Sequence, residues 1–149
     1  EAMILAETAV VPGIDGQKMS KSYGNTLEIF APEAELKKRV MSIVTDSTPV
    51  ADPKPTKGNT LYALLKLFTP GDEWPATKRL FTEGGTGYGD LKKRLLGLLL
   101  ETFGPARRRR EELLRDPGHV ERVLASGRER AMCVIDGVMT DCRRVCGLR

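Results

Sequence analysis

Lys18-Met19-Ser20-Lys21-Ser22 places two ammonium groups and two hydroxyls within five residues. That set suits a polyphosphate: the lysines bring positive charge to its oxygens, and the serines add hydrogen bonds. Gly13, Gly16 and Gly24 bracket the pentapeptide, so the backbone is free to approach a ligand closely or to open and shut. A solvated basic loop has the same composition, and these letters alone leave both readings open. A second cationic run, Arg107-Arg108-Arg109-Arg110, is the densest basic patch of the chain. It fits an RNA backbone; it fits equally a helix whose arginines spread around the axis and pair with Glu111, Glu112 or Asp116.

Other residues that invite a chemical role have plainer ones. The lone Trp74 and lone His119 are placed by no motif in catalysis and read as packing and helix-start residues. Cys133, Cys142 and Cys146 lie in an apolar helical pattern and are expected as buried or half-buried free thiols. Cys142 and Cys146 stand one turn apart on one helix face, which disfavours a disulfide between them. A zinc site lacks ligands, so no metal is expected. Gly84-Gly85-Thr86-Gly87-Tyr88-Gly89 has the look of a dinucleotide fingerprint, but no buried strand precedes it, and it reads as a turn.

The elements that must carry these residues follow from periodicity. Residues 1–30 read as loop and short extended pieces, with Ala9-Val10-Val11 a short buried edge and Thr26 to Phe30 a brief return strand or turn. Leu36, Val40, Ile43 and Val44 predict a helix over 32–44, begun by Pro32 and with acids before bases along it. Three prolines make residues 45–58 an extended connector. Asn59 or Thr60 caps a buried helix from Leu61 to Phe68, and Asp72 caps a short one through Phe81. Asp90 caps a longer helix with a leucine stripe, which Gly104-Pro105 is expected to kink or interrupt. Asp116-Pro117-Gly118 stops and restarts the chain, and a last helix runs from about 118 to 146 with an apolar face from Val120 to Val145.

The expected fold class is therefore mainly α: a helical bundle preceded by a loop segment. The 149 residues, 40% of them hydrophobic, suit a single core. Residues 1–87 carry 10 Lys/Arg against 11 Asp/Glu, whereas residues 88–149 carry 14 against 9. A basic C-terminal half supports a polyanion partner. No apolar run approaches the length of a membrane span, and no signal peptide is visible, so no membrane partner is expected. The free thiols point to a reducing, cytoplasmic setting. The opening Glu1-Ala2-Met3 reads as the interior of a longer protein.

Lys18-Met19-Ser20-Lys21-Ser22 matches letter for letter the second signature of class I aminoacyl-tRNA synthetases, and Val10 through Thr26 resembles the tryptophanyl-tRNA synthetases in particular. Val44-Thr45-Asp46-Ser47, Asn59 to Leu65 and Gly87 to Lys92 resemble further segments of that family, so the likeness covers essentially the whole chain. Tyrosyl-type enzymes are the nearest relatives, but their bacterial members append a different RNA-binding module. The family's nucleotide-binding fold, with its HIGH-type signature and tryptophan pocket, is not in these residues. The resemblance thus implies residues 1–30 as the end of a Rossmann-like catalytic domain and residues 31–149 as a helical anticodon-binding domain. It implies an intact enzyme that joins tryptophan to ATP with Mg²⁺ and transfers it to tRNA(Trp), acting as a homodimer; this part alone would be inactive. Lys18 and Lys21 would be catalytic, and Val10, Lys18, Met19, Ser20, Lys21 and Ser22 would contact ATP, with the Met19 backbone on the adenine side. Arg107 to Arg110 would meet RNA. The alternatives are a stand-alone helical RNA-binding module, or a tyrosyl-type relative.

Overall fold

The computed structural model describes residues 10–148, which fold into five α-helices. In chain order these are α1 (Glu33–Met41), α2 (Thr60–Phe68), α3 (Trp74–Thr82), α4 (Tyr88–Arg115) and α5 (Pro117–Val145). A single 3-10 turn, Lys21–Tyr23, precedes them. The only β pairing among the described residues is one antiparallel bridge between Pro12 and Lys18. The mainly α expectation holds. The chain divides into two compact units, residues 1–105 and residues 106–149.

The first unit is built on leucine periodicity. Leu36 and Val40 of α1, Leu61, Leu64 and Leu65 of α2, Phe81 of α3 and Leu91, Leu95 and Leu99 of α4 form one buried cluster. Burying side chains of this size contributes about 1.5–3 kcal/mol each before chain entropy is counted. Tyr62 stands edge-on to Trp74 and Phe81, with ring centroids 5.1 and 5.0 Å away, which closes α2 on α3. Asn59 caps α2, accepting from the Tyr62 N–H at 3.0 Å. Its amide also donates to the Tyr88 hydroxyl at 3.2 Å, and that hydroxyl donates to Asp46 at 2.9 Å. The start of α2, the start of α4 and the connector after α1 are thereby joined in one network.

Several boundaries differ from expectation. α1 ends at Met41, not at residue 44, because the Val44 N–H turns away to bond Ile14 O at 2.8 Å, leaving the Val44 side chain exposed. The Lys92 ammonium then bonds the Met41 carbonyl at 3.0 Å, and burial lowers its pKa. Asp72 does not cap α3; Glu73 precedes it without a side-chain bond, since Trp74 and Pro75 open the helix. Asp90 lies inside the first turn of α4, which begins at Tyr88. Of the strand or turn expected over residues 26–30, the turn is what forms, at residues 29–30. Val10 is 57% exposed, against the buried edge expected there, and Ala9 lies outside the described residues.

Pro105 neither breaks nor ends α4. It is exposed, so the carbonyl four residues back that loses its donor can be hydrated. Of the glycine run 84–89, residues 84–87 form an irregular connection and Tyr88 and Gly89 already open α4, and the structure supplies the reason for one glycine. A Cβ on Gly84 would strike the Ala51 carbonyl, and Gly84 holds φ +74°. Beside it the connector carries a surprise: Lys54 is only 3% exposed, its ammonium 5.3 Å over the Tyr88 ring.

In the second unit, Asp116 caps α5, accepting from the His119 N–H at 2.9 Å, which fits the helix-start role of His119. No residue of α5 is buried. Its stripe of Val123, Leu124, Val134, Ile135 and Val138 is exposed. The three cysteines share that helix region and are exposed free thiols, which corrects the buried placement expected from the apolar pattern. No helix among the described residues is long and apolar enough to cross a membrane.

Candidate functional site

The segment 11–25 is a compact knot of short-range bonds. Gly13 N–H donates to Gln17 O at 2.7 Å, Gly16 N–H to Gly13 O at 3.0 Å, and Met19 N–H to Val11 O at 2.9 Å. Val11, Ile14 and Met19 lay their side chains against the helical core. The pentapeptide is therefore two-sided: Met19 turns inward, while Lys18, Lys21 and Ser22 are exposed and Ser20 is half-buried. The Ser20 and Ser22 hydroxyls hydrogen-bond each other at 2.8 Å. Gly24, at φ +63°, ends the 3-10 turn in the left-handed conformation.

Asn25, which the sequence reading passed over, sits at the centre. It is 2% exposed. Its Oδ1 accepts from the Ser20 N–H at 2.8 Å, and its Nδ2 donates to Asp15 Oδ1 at 2.8 Å and Lys18 O at 3.1 Å. Its own carbonyl accepts from the Ile14 N–H at 3.0 Å. These bonds fix which end of the amide is oxygen, because a flip would oppose donor to donor and acceptor to acceptor. The Asn25 amide holds the Asp15 carboxyl below the usual carboxylate value of 3.8, aided by the Gln17 N–H at 3.0 Å. A Cβ on Gly13 would strike the Asn25 carboxamide, so that glycine makes room for it. The signal available in the sequence was an asparagine beside a turn glycine, whose carboxamide can donate and accept at once.

α1 holds the loop from the other side. Arg39 Nη1 donates to Gly24 O at 3.0 Å, and Val44 N–H reaches Ile14 O. A cleft of about 590 Å³ lies between Asp15-Gly16-Gln17 and the connector, lined also by Asp46, Lys57 and Asn59. Hydrogen bonding to Thr48 lowers the Asp46 pKa, and burial, reinforced by Asp46, raises that of Tyr88.

The arginine run is built differently. All four residues belong to α4, where successive side chains point about 100° apart. Arg107 is half-buried and Arg108, Arg109 and Arg110 are exposed. Arg109 pairs with Glu112 at 2.9 Å, as one of the two readings expected. Asp116 pairs with Arg122 at 3.8 Å. Val10 is the first described residue and is exposed.

No family model matches the chain. The tryptophan–tRNA ligase of Rhodopirellula baltica is 44% identical over 149 residues, which is 100% of this chain and 47% of that protein. The tryptophan–tRNA ligase of Fusobacterium nucleatum is 43% identical over 148 residues, 99% of this chain and 45% of that protein. A crystal structure of tryptophanyl-tRNA synthetase from Campylobacter jejuni, complexed with ADP and tryptophan, superposes with a TM-score of 0.91 at 39% identity. That match covers 99% of this chain and 46% of the other. The chain thus spans just under half the length of the curated relatives it matches.

Proposed function

We propose that this chain, a homologue of the tryptophan–tRNA ligases over its whole length, is the C-terminal part of such an enzyme. Residues 1–30 end its catalytic domain and residues 31–149 form its anticodon-binding domain. The intact protein activates tryptophan with ATP and transfers it to tRNA(Trp), as a cytoplasmic homodimer. The observation that carries the reading is a folded loop in which Lys18 and Lys21 are exposed and the Ser20 and Ser22 hydroxyls are bonded to one another. The ADP and tryptophan held by the Campylobacter jejuni protein support ATP and tryptophan as ligands here.

In activation, the tryptophan carboxylate attacks the α-phosphorus and the bond to the β-phosphate oxygen breaks. Pyrophosphate leaves with the bonding electrons, so negative charge grows on the β- and γ-phosphates. Lys18 and Lys21 meet that charge, and Ser20 and Ser22 donate to the same oxygens. The Met19 backbone and Val10 lie toward adenine. Mg²⁺ entering with the nucleotide would supply further charge neutralisation. Arg107 to Arg110 then serve the second substrate, meeting the tRNA backbone.

The test is tryptophan-dependent pyrophosphate exchange by the intact protein. Exchange with tryptophan but not with tyrosine is expected. Absence of exchange with any amino acid overturns the proposal.

A further inference from the structure

We infer that Asn25 is the positioning residue of the phosphate-binding loop, setting the spacing of Lys18 and Lys21 through the Ser20 backbone while touching no substrate itself. The inference rests on the function proposed above for those lysines. Its own support is the bond pattern. Asn25 is nearly sealed from solvent, yet it makes three side-chain bonds, and two of them go to residues of the pentapeptide. It grips the Lys18 carbonyl and the Ser20 N–H, the two backbone groups that flank Met19. Lys21 follows Ser20 directly and opens the 3-10 turn, so the direction of the Ser20 N–H sets where that turn starts.

The third bond ties this grip to the opposite limb of the loop, at Asp15. Asp15 in turn accepts from Gln17, one residue before Lys18. One carboxamide thus closes a ring through Asp15, Gln17, Lys18 and Ser20. Without it, the Ser20 N–H, the Lys18 carbonyl and the Asp15 carboxylate must turn to water, and the loop has no reason to keep both ammonium groups on one target. A reaction that needs two cations at once on a leaving group is sensitive to such loosening, whereas nucleotide affinity, spread over many contacts, is less so.

The test is a cycle of variants in the intact protein. Asn25→Ala is expected to lower kcat for pyrophosphate exchange at least tenfold, with KM for tryptophan within twofold. In a Lys21→Ala background, Asn25→Ala should cost less than threefold more, because the residue acts through that lysine. Asn25→Asp, which sets a carboxylate against the Asp15 carboxylate and the Lys18 carbonyl, should be worse than Asn25→Ala. Hydrogen exchange of the peptide spanning residues 18–23 should speed up in Asn25→Ala. Independent, multiplying effects of Asn25 and Lys21, or unchanged hydrogen exchange over residues 18–23 in Asn25→Ala, overturn the inference. If the wild type shows no exchange activity, the ligase reading fails, while the hydrogen-exchange arm still decides whether Asn25 holds the loop.

Discussion

The two basic clusters differ in how the backbone presents charge. Lys18 and Lys21 sit on a loop folded back on itself, with Met19 packed inward and Asn25 bonded across its base. Arg107 to Arg110 sit on an unbroken helix, which fans four guanidinium groups around its axis. A folded loop confines a few charges to one short segment, at the cost of a dedicated set of buried bonds. A helix distributes more charges over a surface and needs no such support. The first arrangement suits a small polyanion with one reactive bond, and the second a long polyanion with many equivalent phosphates.

The sharpest way to break this comparison is to remove one charge from each cluster. Lys21→Ala in the intact protein should lower kcat for pyrophosphate exchange about a hundredfold, with a much smaller change in KM for ATP. That corresponds to the roughly 2–4 kcal/mol carried by one charge-assisted contact made mainly in the transition state. A kcat within threefold of wild type would sink the assignment. Arg108→Glu with Arg110→Glu should weaken tRNA binding about tenfold at moderate salt and flatten the dependence of log Kd on log salt. An unchanged salt slope would return the arginines to the reading in which they spread around the helix and pair with neighbouring acids.

Smaller effects separate the supports of the two clusters. Asp15 and Asp46 both have pKa values lowered below 3.8 in the fold, chiefly by hydrogen bonds from Asn25 and from Thr48 respectively. Their contribution to stability is therefore present above that value and lost as pH falls through the lowered pKa values. Acid titration followed by hydrogen exchange should show the loop loosening in that range, and Asp15→Asn should remove its share. At the helix, Glu112→Gln leaves Arg109 in solvent and should change unfolding free energy by less than about 0.5 kcal/mol, the size of an exposed pair one turn apart. A larger loss in a denaturant melt would mean that the arginine run is structurally supported after all.

Legibility in the sequence followed the same divide. Helices were readable where a buried leucine stripe repeats, as in α2 and α4, because burial there is decided by period alone. Asn59 and the Asp116-Pro117-Gly118 break were readable because capping is local. What failed required a distant partner. α1 stops early because Val44 bonds Ile14, thirty residues back. Lys54 is buried because Tyr88 and the carbonyls of Pro49 and Asp52 surround it. The cysteines look like core residues by pattern, and α5 buries none of them. The lysines and serines of the loop were legible by chemical type, but Asn25 was not, since its role depends on Asp15 lying opposite.

The edge-on stack of Tyr62 on Trp74 gives the first unit a built-in optical gauge. The chain holds a single tryptophan, half-buried where α2 meets α3, with a tyrosine close enough to pass it excitation energy. Loosening of that helix pair should therefore red-shift the emission and restore the tyrosine signal, and no label need be attached to see it.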